Sequence, residues 1–230
     1  MLNILGHGLV VIICLVGQML VDRSKTTTRI AGAAVLAPLS VLLQALPPIF
    51  ITPWGMRIDL VAVPWVVCWM FFGLRTSLLC ILVSAPLVGA LGPFAGGWVG
   101  AIMKSTASVW MILVPAFLNY EWNKIGSGTN IWRRFVPATI CAILVRDVAT
   151  LLFNLYFALP VFYGMSPDQV ISFFGDSRFQ SFPTIALGII GVGAYIVEIV
   201  LWNTVQGFID AYASFVVGSI AVKRLSGAKR

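Results

Sequence analysis

Charge is what this chain has least of. Of its 230 residues, 8 are Asp or Glu and 15 are Lys or Arg, so that 10% are charged, where ordinary soluble domains carry about 25%. With 60% hydrophobic residues and a mean hydropathy of +0.98, the chain reads as an integral membrane protein, with no stretch able to form a soluble domain. Histidine is scarcer still. His7 stands alone, which excludes a histidine-built metal centre and leaves it a place at the membrane interface. The four cysteines, Cys14, Cys68, Cys80 and Cys141, lie inside apolar runs without metal-ligand spacing and read as buried packing groups. No G-x-x-x-x-G-K-[ST] phosphate loop, H-E-x-x-H or G-x-S-x-G occurs. Any uphill work by this protein therefore draws on energy supplied elsewhere. Inverted internal repeats of the kind found in many secondary transporters are not evident either.

What is present is a series of long apolar runs. They cover residues 4–20, 30–46, 58–74, 77–91, 94–118, 135–157 and a tract at 184–222, against the about 20 residues that a spanning helix needs. This predicts seven spans, the fourth of them short. The last tract predicts one helix whose final part crosses the bilayer after an interfacial or outward extension. The first run has no basic segment before it and no small-residue cleavage site, so it reads as an uncleaved anchor.

Basic residues set the expected orientation, because cytoplasmic loops retain Lys and Arg during insertion. With Arg23, Lys25 and Arg29 inside, alternation also places Arg75, Lys124, Arg133, Arg134, Lys223, Arg224, Lys229 and Arg230 inside. That is 11 of the 15 basic residues on one side. Arg57 and Arg178 fall outside, and Lys104 and Arg146 fall within spans. The N-terminus is then expected outside and the C-terminus in the cytoplasm. The net charge of +7 is read as this topology signal and not as a nucleic-acid interface.

Drawn on those spans, the few intramembrane polar residues gather in the outer half of the bilayer. Asp147, Thr150 and Asn154 follow i, i+3, i+7 spacing on the sixth span, and Asn203, Gln206 and Asp210 repeat it on the seventh, so each set shares one helical face. Lys104 and Ser108 are one turn apart on the fifth span, with Gly97, Gly100 and Ala101 a turn outward. Arg57 and Asp59 enter the third span from outside. Ionisable groups in a bilayer cost about 2.5–3.5 kcal/mol each on insertion scales and usually face a cavity or a partner. Four helices converging at one depth predict an outward-opening pocket, with Trp54, Trp65, Trp98, Phe153, Tyr156 and Trp202 available as walls. Taken singly, each Asn or Gln is equally readable as a hydrogen bond to a neighbouring helix. Arg146 and Asp147 are adjacent and face different directions, so Arg146 is expected to pair with Glu198 or Asp210 instead.

Three segments, in order, resemble a known family. Met56-Arg57-Ile58-Asp59-Leu60-Val61-Ala62-Val63-Pro64, followed by Met70-Phe71-Phe72-Gly73, is similar to the entry into the second core helix of the substrate-binding S components of energy-coupling-factor (ECF) vitamin importers, the riboflavin-binding type in particular. Leu144-Val145-Arg146-Asp147, with Phe153-Asn154-Leu155-Tyr156-Phe157-Ala158-Leu159-Pro160-Val161-Phe162-Tyr163-Gly164, resembles the fifth core helix. Leu201-Trp202-Asn203-Thr204-Val205-Gln206-Gly207 resembles the start of the sixth. Together these touch about a quarter of the chain.

The resemblance implies an all-α integral membrane protein with a six-helix core over residues 30–222. Outside that core, residues 1–29 are expected to form an additional N-terminal transmembrane helix with a basic cytoplasmic linker, a departure from the family, and residues 223–230 a basic tail. It implies no enzymatic chemistry and no cofactor. The ligand would be a vitamin, riboflavin or a related flavin, captured from outside and contacted by Asn154 and Asn203, with Gln206, Lys104, Asp59, Arg57 and Asp147 around it. The loop 46–57 would be a lid. The partners would be a transmembrane T component and two cytoplasmic ATPase subunits, with Ala33 and Ala37 of an A-x-x-x-A pattern as the docking face, in the cell membrane.

The sequence also departs from that pattern. Gln206 stands where the family carries a basic residue, and the lysine expected near Ala85 is missing, with Lys104 a possible replacement. Another vitamin or small heterocycle therefore remains an alternative ligand. A scaffold subunit, or a membrane enzyme using Asp147, Asp210, Glu198 and Lys104 as acid and base groups, is the reading from another class.

Overall fold

The computed structural model describes residues 26–52, 56–91, 97–118, 131–176 and 179–227. The first expected span, residues 4–20, and Trp54 lie outside the described residues.

Helix α1 (Thr26–Ala45) buries Ala33, Leu36, Ala37, Ser40 and Gln44, a stripe at i, i+3, i+4, i+7 and i+11 that gives it one inward face. Two short antiparallel strands follow, β1 (Phe50–Ile51) and β2 (Arg57–Ile58), paired Phe50 to Ile58 and Ile51 to Arg57. The core is otherwise helical. The expected third span, 58–74, contains a helix only over α2 (Val63–Phe72), about 15 Å long at 1.5 Å per residue. The chain before it is held out of helix by Asp59, whose Oδ1 accepts the Val61 N–H at 3.1 Å. Pro64 sits in the first turn of the helix, where its missing N–H leaves no intrahelical bond unmade.

Every residue of α2 is buried, so it is the axis of the bundle and not a lipid-facing span. Gly73, at φ +85°, then reverses the chain directly into α3 (Leu74–Leu91). A side chain at that φ is strained, which is why glycine occupies the corner. Helices α4 (Gly97–Phe117) and α5 (Ile131–Phe153) follow. After α5 the ladder widens into a π-helical turn, Asn154–Ala158, in which the Leu159 N–H reaches back five residues to the Asn154 carbonyl. Pro160, which has no N–H and crowds the carbonyl four residues back, gives a reason for that widening. The helix resumes as α6 (Leu159–Tyr163) and stops at Gly164.

A capped helix α7 (Pro167–Gly175) and one turn, α8 (Phe182–Ile185), precede α9 (Gly191–Gly227), an unbroken helix of 37 residues. At about 55 Å, α9 exceeds the about 30 Å of hydrocarbon in a bilayer. Its first turns pack on α7, where Phe174 stacks on Tyr195 with ring centres 4.2 Å apart.

Neighbour relations run α1 to α3, α3 to α4, α4 to α5 and α5 to α9, with α2 against α1, α3 and α9. Among the described residues four helical stretches are long and apolar enough to cross a membrane, Thr26–Ala45, Gly97–Phe117, Phe135–Tyr163 and Gly191–Ala221, and two shorter apolar helices accompany them. This is a multi-pass helical membrane protein.

Candidate ligand site

Asp59 is the centre of the polar arrangement. It sits at the foot of the β1–β2 hairpin, 3% exposed, and its Oδ2 forms an ion pair with Lys104 Nζ of α4. Its backbone is held from α9. The Asp59 N–H donates to Gln206 Oε1 at 3.0 Å, and Gln206 Nε2 donates to the Asp59 carbonyl at 2.7 Å. The same Gln206 nitrogen donates to Asp210 Oδ1 at 2.7 Å, and Arg146 Nη1 of α5 donates to Asp210 Oδ2 at 2.8 Å.

One continuous network, Lys104–Asp59–Gln206–Asp210–Arg146, thus ties α4, the hairpin, α9 and α5 together with two positive and two negative groups. Of the two partners the sequence offered Arg146, the structure selects Asp210. Gly207 makes the α5–α9 approach possible, since a Cβ there would lie 2.9 Å from Ile143 and 3.7 Å from the Arg146 side chain.

Arg57 works at the hairpin's other side. Its Nη2 donates to the carbonyls of Gln44 at 3.3 Å and Leu46 at 3.0 Å, covering the C-terminal carbonyls of α1 with a cation, the favourable charge for that end. Asp147 accepts from Thr204 Oγ1 at 2.7 Å through Oδ2, a second bond between α5 and α9. Asn154 Nδ2 donates to its own helix at the Thr150 carbonyl, 2.8 Å away, and Asn203 Nδ2 does the same to the Ile199 carbonyl at 2.9 Å. Hence Asp59, Lys104 and Gln206 are joined directly, Arg57 is adjacent through the hairpin, Asp147 is joined to α9, and the two asparagines each fold back on their own helix.

Ala33 and Ala37 correct an expectation. They are 4% and 1% exposed and belong to the main apolar core, because α1 turns its small residues inward to let α2 and α3 approach. The exposed side of α1 carries Ile30 and Leu42 instead. In this conformation the alanines are packing residues and not a free docking face.

The expected walls divide in the same way. Trp65 is fully buried, donating from Nε1 to Ser84 Oγ at 2.7 Å, whereas Trp98 and Tyr156 are exposed. Among the described walls Trp202 joins the polar region, with its Nε1 donating to Glu198 Oε1 at 2.7 Å and its ring 5.3 Å from that of Phe50 at the hairpin.

Several buried polar atoms have no hydrogen-bond partner among the described residues. They include both amide atoms of Gln44, Arg57 Nε, Asp147 Oδ1 and Glu198 Oε2. Such atoms are rare in folded proteins because each carries a desolvation penalty of about 1–3 kcal/mol. Those five atoms lie on α1, the hairpin, α5 and α9, the elements that surround Asp59. Sequence reasoning left Gln44 out and read Glu198 only as a partner for Arg146 or as an acid group. The available signal was that Gln44 is the one amide in the run 30–46, a turn beyond Ser40, and that Glu198 is the one acid in the tract before Asn203. A small cavity of about 20 Å³ lies elsewhere, by Trp69, Met111 and Phe135, too far along α2 from the hairpin to belong to this cluster. Among the described residues no group of His, Cys, Asp and Glu is arranged to hold a metal.

A helical membrane bundle with a buried polar core beneath a hairpin is the class of protein these elements define. Among solved structures the chain superimposes on the S component of a bacterial ECF transporter with a TM-score of 0.58 at 17% sequence identity, over 90% of this chain and 99% of that one. At that identity the likeness is one of fold. No family model matches the sequence, and no curated protein matches it.

Proposed function

We propose that this chain is the substrate-binding subunit of an ECF-type, ATP-driven importer. It would capture a small vitamin outside the cell and perform no chemistry on it. The observation that carries the reading is the near-complete superposition on an S component, and buried polar atoms without partners on α1, the hairpin, α5 and α9 support it. Polar atoms left unsatisfied in a low-dielectric interior favour a ligand that completes them.

The basic residues favour the N-terminus outside and the C-terminus in the cytoplasm of a cell membrane. The hairpin and Asp59 then face outward. Riboflavin or a related flavin is the ligand favoured by the sequence resemblance, with another small heterocycle as the alternative. Asn154 and Asn203 are proposed to contact it, because an amide offers donor and acceptor together to a ring edge. Lys104, Asp59 and Gln206 would form the floor, with Arg57 and Asp147 at the sides. Substrate delivery would require a T component and two ATPase subunits.

The self-pairing of Lys104, Asp59, Gln206, Asp210 and Arg146 favours a second reading, a non-catalytic scaffold whose polar residues are interhelical bonds. Purification of the full chain in detergent, its absorption between about 300 and 500 nm, and mass spectrometry of released molecules separate the two. A bound vitamin supports the importer subunit. An empty chain that is also indifferent to a thermal-shift screen of water-soluble vitamins supports the scaffold.

A further inference from the structure

Trp202 and Glu198, one turn apart on α9, carry three observations that the network does not use. Trp202 Nε1 is fixed to Glu198 Oε1 at 2.7 Å, so the indole is held in one orientation. Glu198 is 1% exposed, and its other oxygen, Oε2, is buried without a hydrogen-bond partner. The Trp202 ring is met by Phe50 of the hairpin at 5.3 Å and 32° between planes, although Phe50 itself is 47% exposed. An aromatic face and an unsatisfied carboxylate oxygen therefore lie side by side on one helix, the aromatic face met by a ring that is itself half exposed.

Resting on the importer-subunit reading, we propose that Trp202 and Glu198 form the ring-recognition subsite. A planar nitrogen heterocycle stacks on Trp202 in the place of Phe50, and its N–H donor edge reaches Glu198 Oε2. A carboxylate oxygen only accepts hydrogen bonds, so the recognised edge is an imide, amino or protonated ring nitrogen and not a carbonyl or carboxylate.

The hairpin is built for this exchange. Its base is fixed by the Lys104 ion pair, the Gln206 amide and the Arg57 contacts with α1. Beyond the base the strands pair over two residues each. Phe50 is paired across the ladder with Ile58, next to Asp59, so it leaves Trp202 by turning its half-exposed side chain and not by lifting its strand.

The test titrates the purified full chain with three probes by calorimetry. Riboflavin and thiamine are planar rings with N–H donors, and pantothenate is an acyclic vitamin. The expected result is that riboflavin or thiamine binds. Phe50→Ala then binds that probe more tightly, by about two- to tenfold, since an aromatic pair that competes with the ligand is gone. Glu198→Gln binds it about tenfold more weakly, the loss of a charge-assisted bond. Trp202→Ala loses at least about fivefold, the scale of ring stacking, and Trp202→Phe retains binding. A gain of affinity in Phe50→Ala does not arise from misfolding, so it reads the site even where another variant is unstable. Unchanged or weaker binding in Phe50→Ala, or unchanged binding in Glu198→Gln, overturns the subsite while leaving the importer reading intact. Binding of pantothenate alone does the same. No binding of either ring probe to the wild type or to Phe50→Ala overturns the subsite, and the importer reading falls with it only when the wider screen of water-soluble vitamins is blank as well.

Discussion

Removing Arg146 alone is the sharpest physical test of the buried network. Arg146 and Asp210 have side chains 2% and 0% exposed and are joined at 2.8 Å. In Arg146→Leu the Asp210 carboxylate keeps one bond, from Gln206, but loses its only direct cationic partner in the pair, and an uncompensated buried charge of this kind costs roughly 3–5 kcal/mol. For a chain of this length roughly 2–4 °C of melting temperature accompanies each kcal/mol, so the midpoint is expected to fall by about 6–20 °C. The double variant, Arg146→Leu with Asp210→Leu, removes both charges. What it leaves unsatisfied is one hydrogen of the Gln206 amide, worth about 1–3 kcal/mol. The double variant is therefore expected to melt above the single one. The assay is supplied by the protein's own thiols. Cys68 and Cys80 are fully buried, and a thiol-reactive fluorogenic dye labels them only on unfolding, in a Cys14→Ser, Cys141→Ser background because Cys141 is exposed and Cys14 lies outside the described residues. A double variant that melts at or below Arg146→Leu refutes the reasoning, because it would mean that the pair contributes through its charges and not merely by neutralising each other.

Two further perturbations follow from the same geometry. Gln206→Leu strips both backbone groups of Asp59 of their partner and is expected to cost about 2 kcal/mol. It should also raise hydrogen exchange in the described residues of 49–58, and unchanged exchange there would show that the Lys104 and Arg57 contacts hold the hairpin base without Gln206. Ala37→Leu adds volume at a position 1% exposed, so it should destabilise the isolated chain by about 1–3 kcal/mol, whereas Leu42→Ala on the exposed face should leave the melting temperature within about 1 °C. Full stability of Ala37→Leu would return that residue to the surface.

The helical class and the order of spans were legible because a run of about 20 apolar residues has few alternatives. The third span was misjudged in length for a local reason. Hydropathy averages over residues 58–74 and does not register that Asp59 bonds the Val61 N–H or that Pro64 begins the helix. For the polar residues, helical spacing placed Asp147 and Asn154, or Asn203, Gln206 and Asp210, on common faces, and it identified Asp210 as one of two partners for Arg146. Spacing carries no information on side-chain direction across helices, which decided that Gln206 grips a backbone and that Asn154 and Asn203 turn back on their own turns. The inward aim of Ala33 and Ala37 was hidden for a related reason. An A-x-x-x-A pattern marks a face that permits close approach, and it is equally satisfied by α2 and α3 within the chain as by another subunit.

The polar core separates into two tiers with different physical consequences. The lower tier, from Lys104 to Arg146, sets two cations against two carboxylates in direct pairs, so a ligand touching those pairs would first have to break buried charge-assisted bonds. The upper tier holds Gln44, Arg57 Nε, Asp147 Oδ1 and Glu198 Oε2, atoms already removed from water and given nothing in return. A ligand meeting those atoms gains hydrogen bonds without breaking any in the protein, and the desolvation cost has been met in folding. The lower tier then acts as the rigid support that a precise site requires, fixing the foot of the hairpin. On this arrangement, changes in the lower tier should act first on stability and changes in the upper tier first on affinity. A variant of Gln206 and a variant of Glu198, compared in melting temperature and in binding, would show opposite patterns.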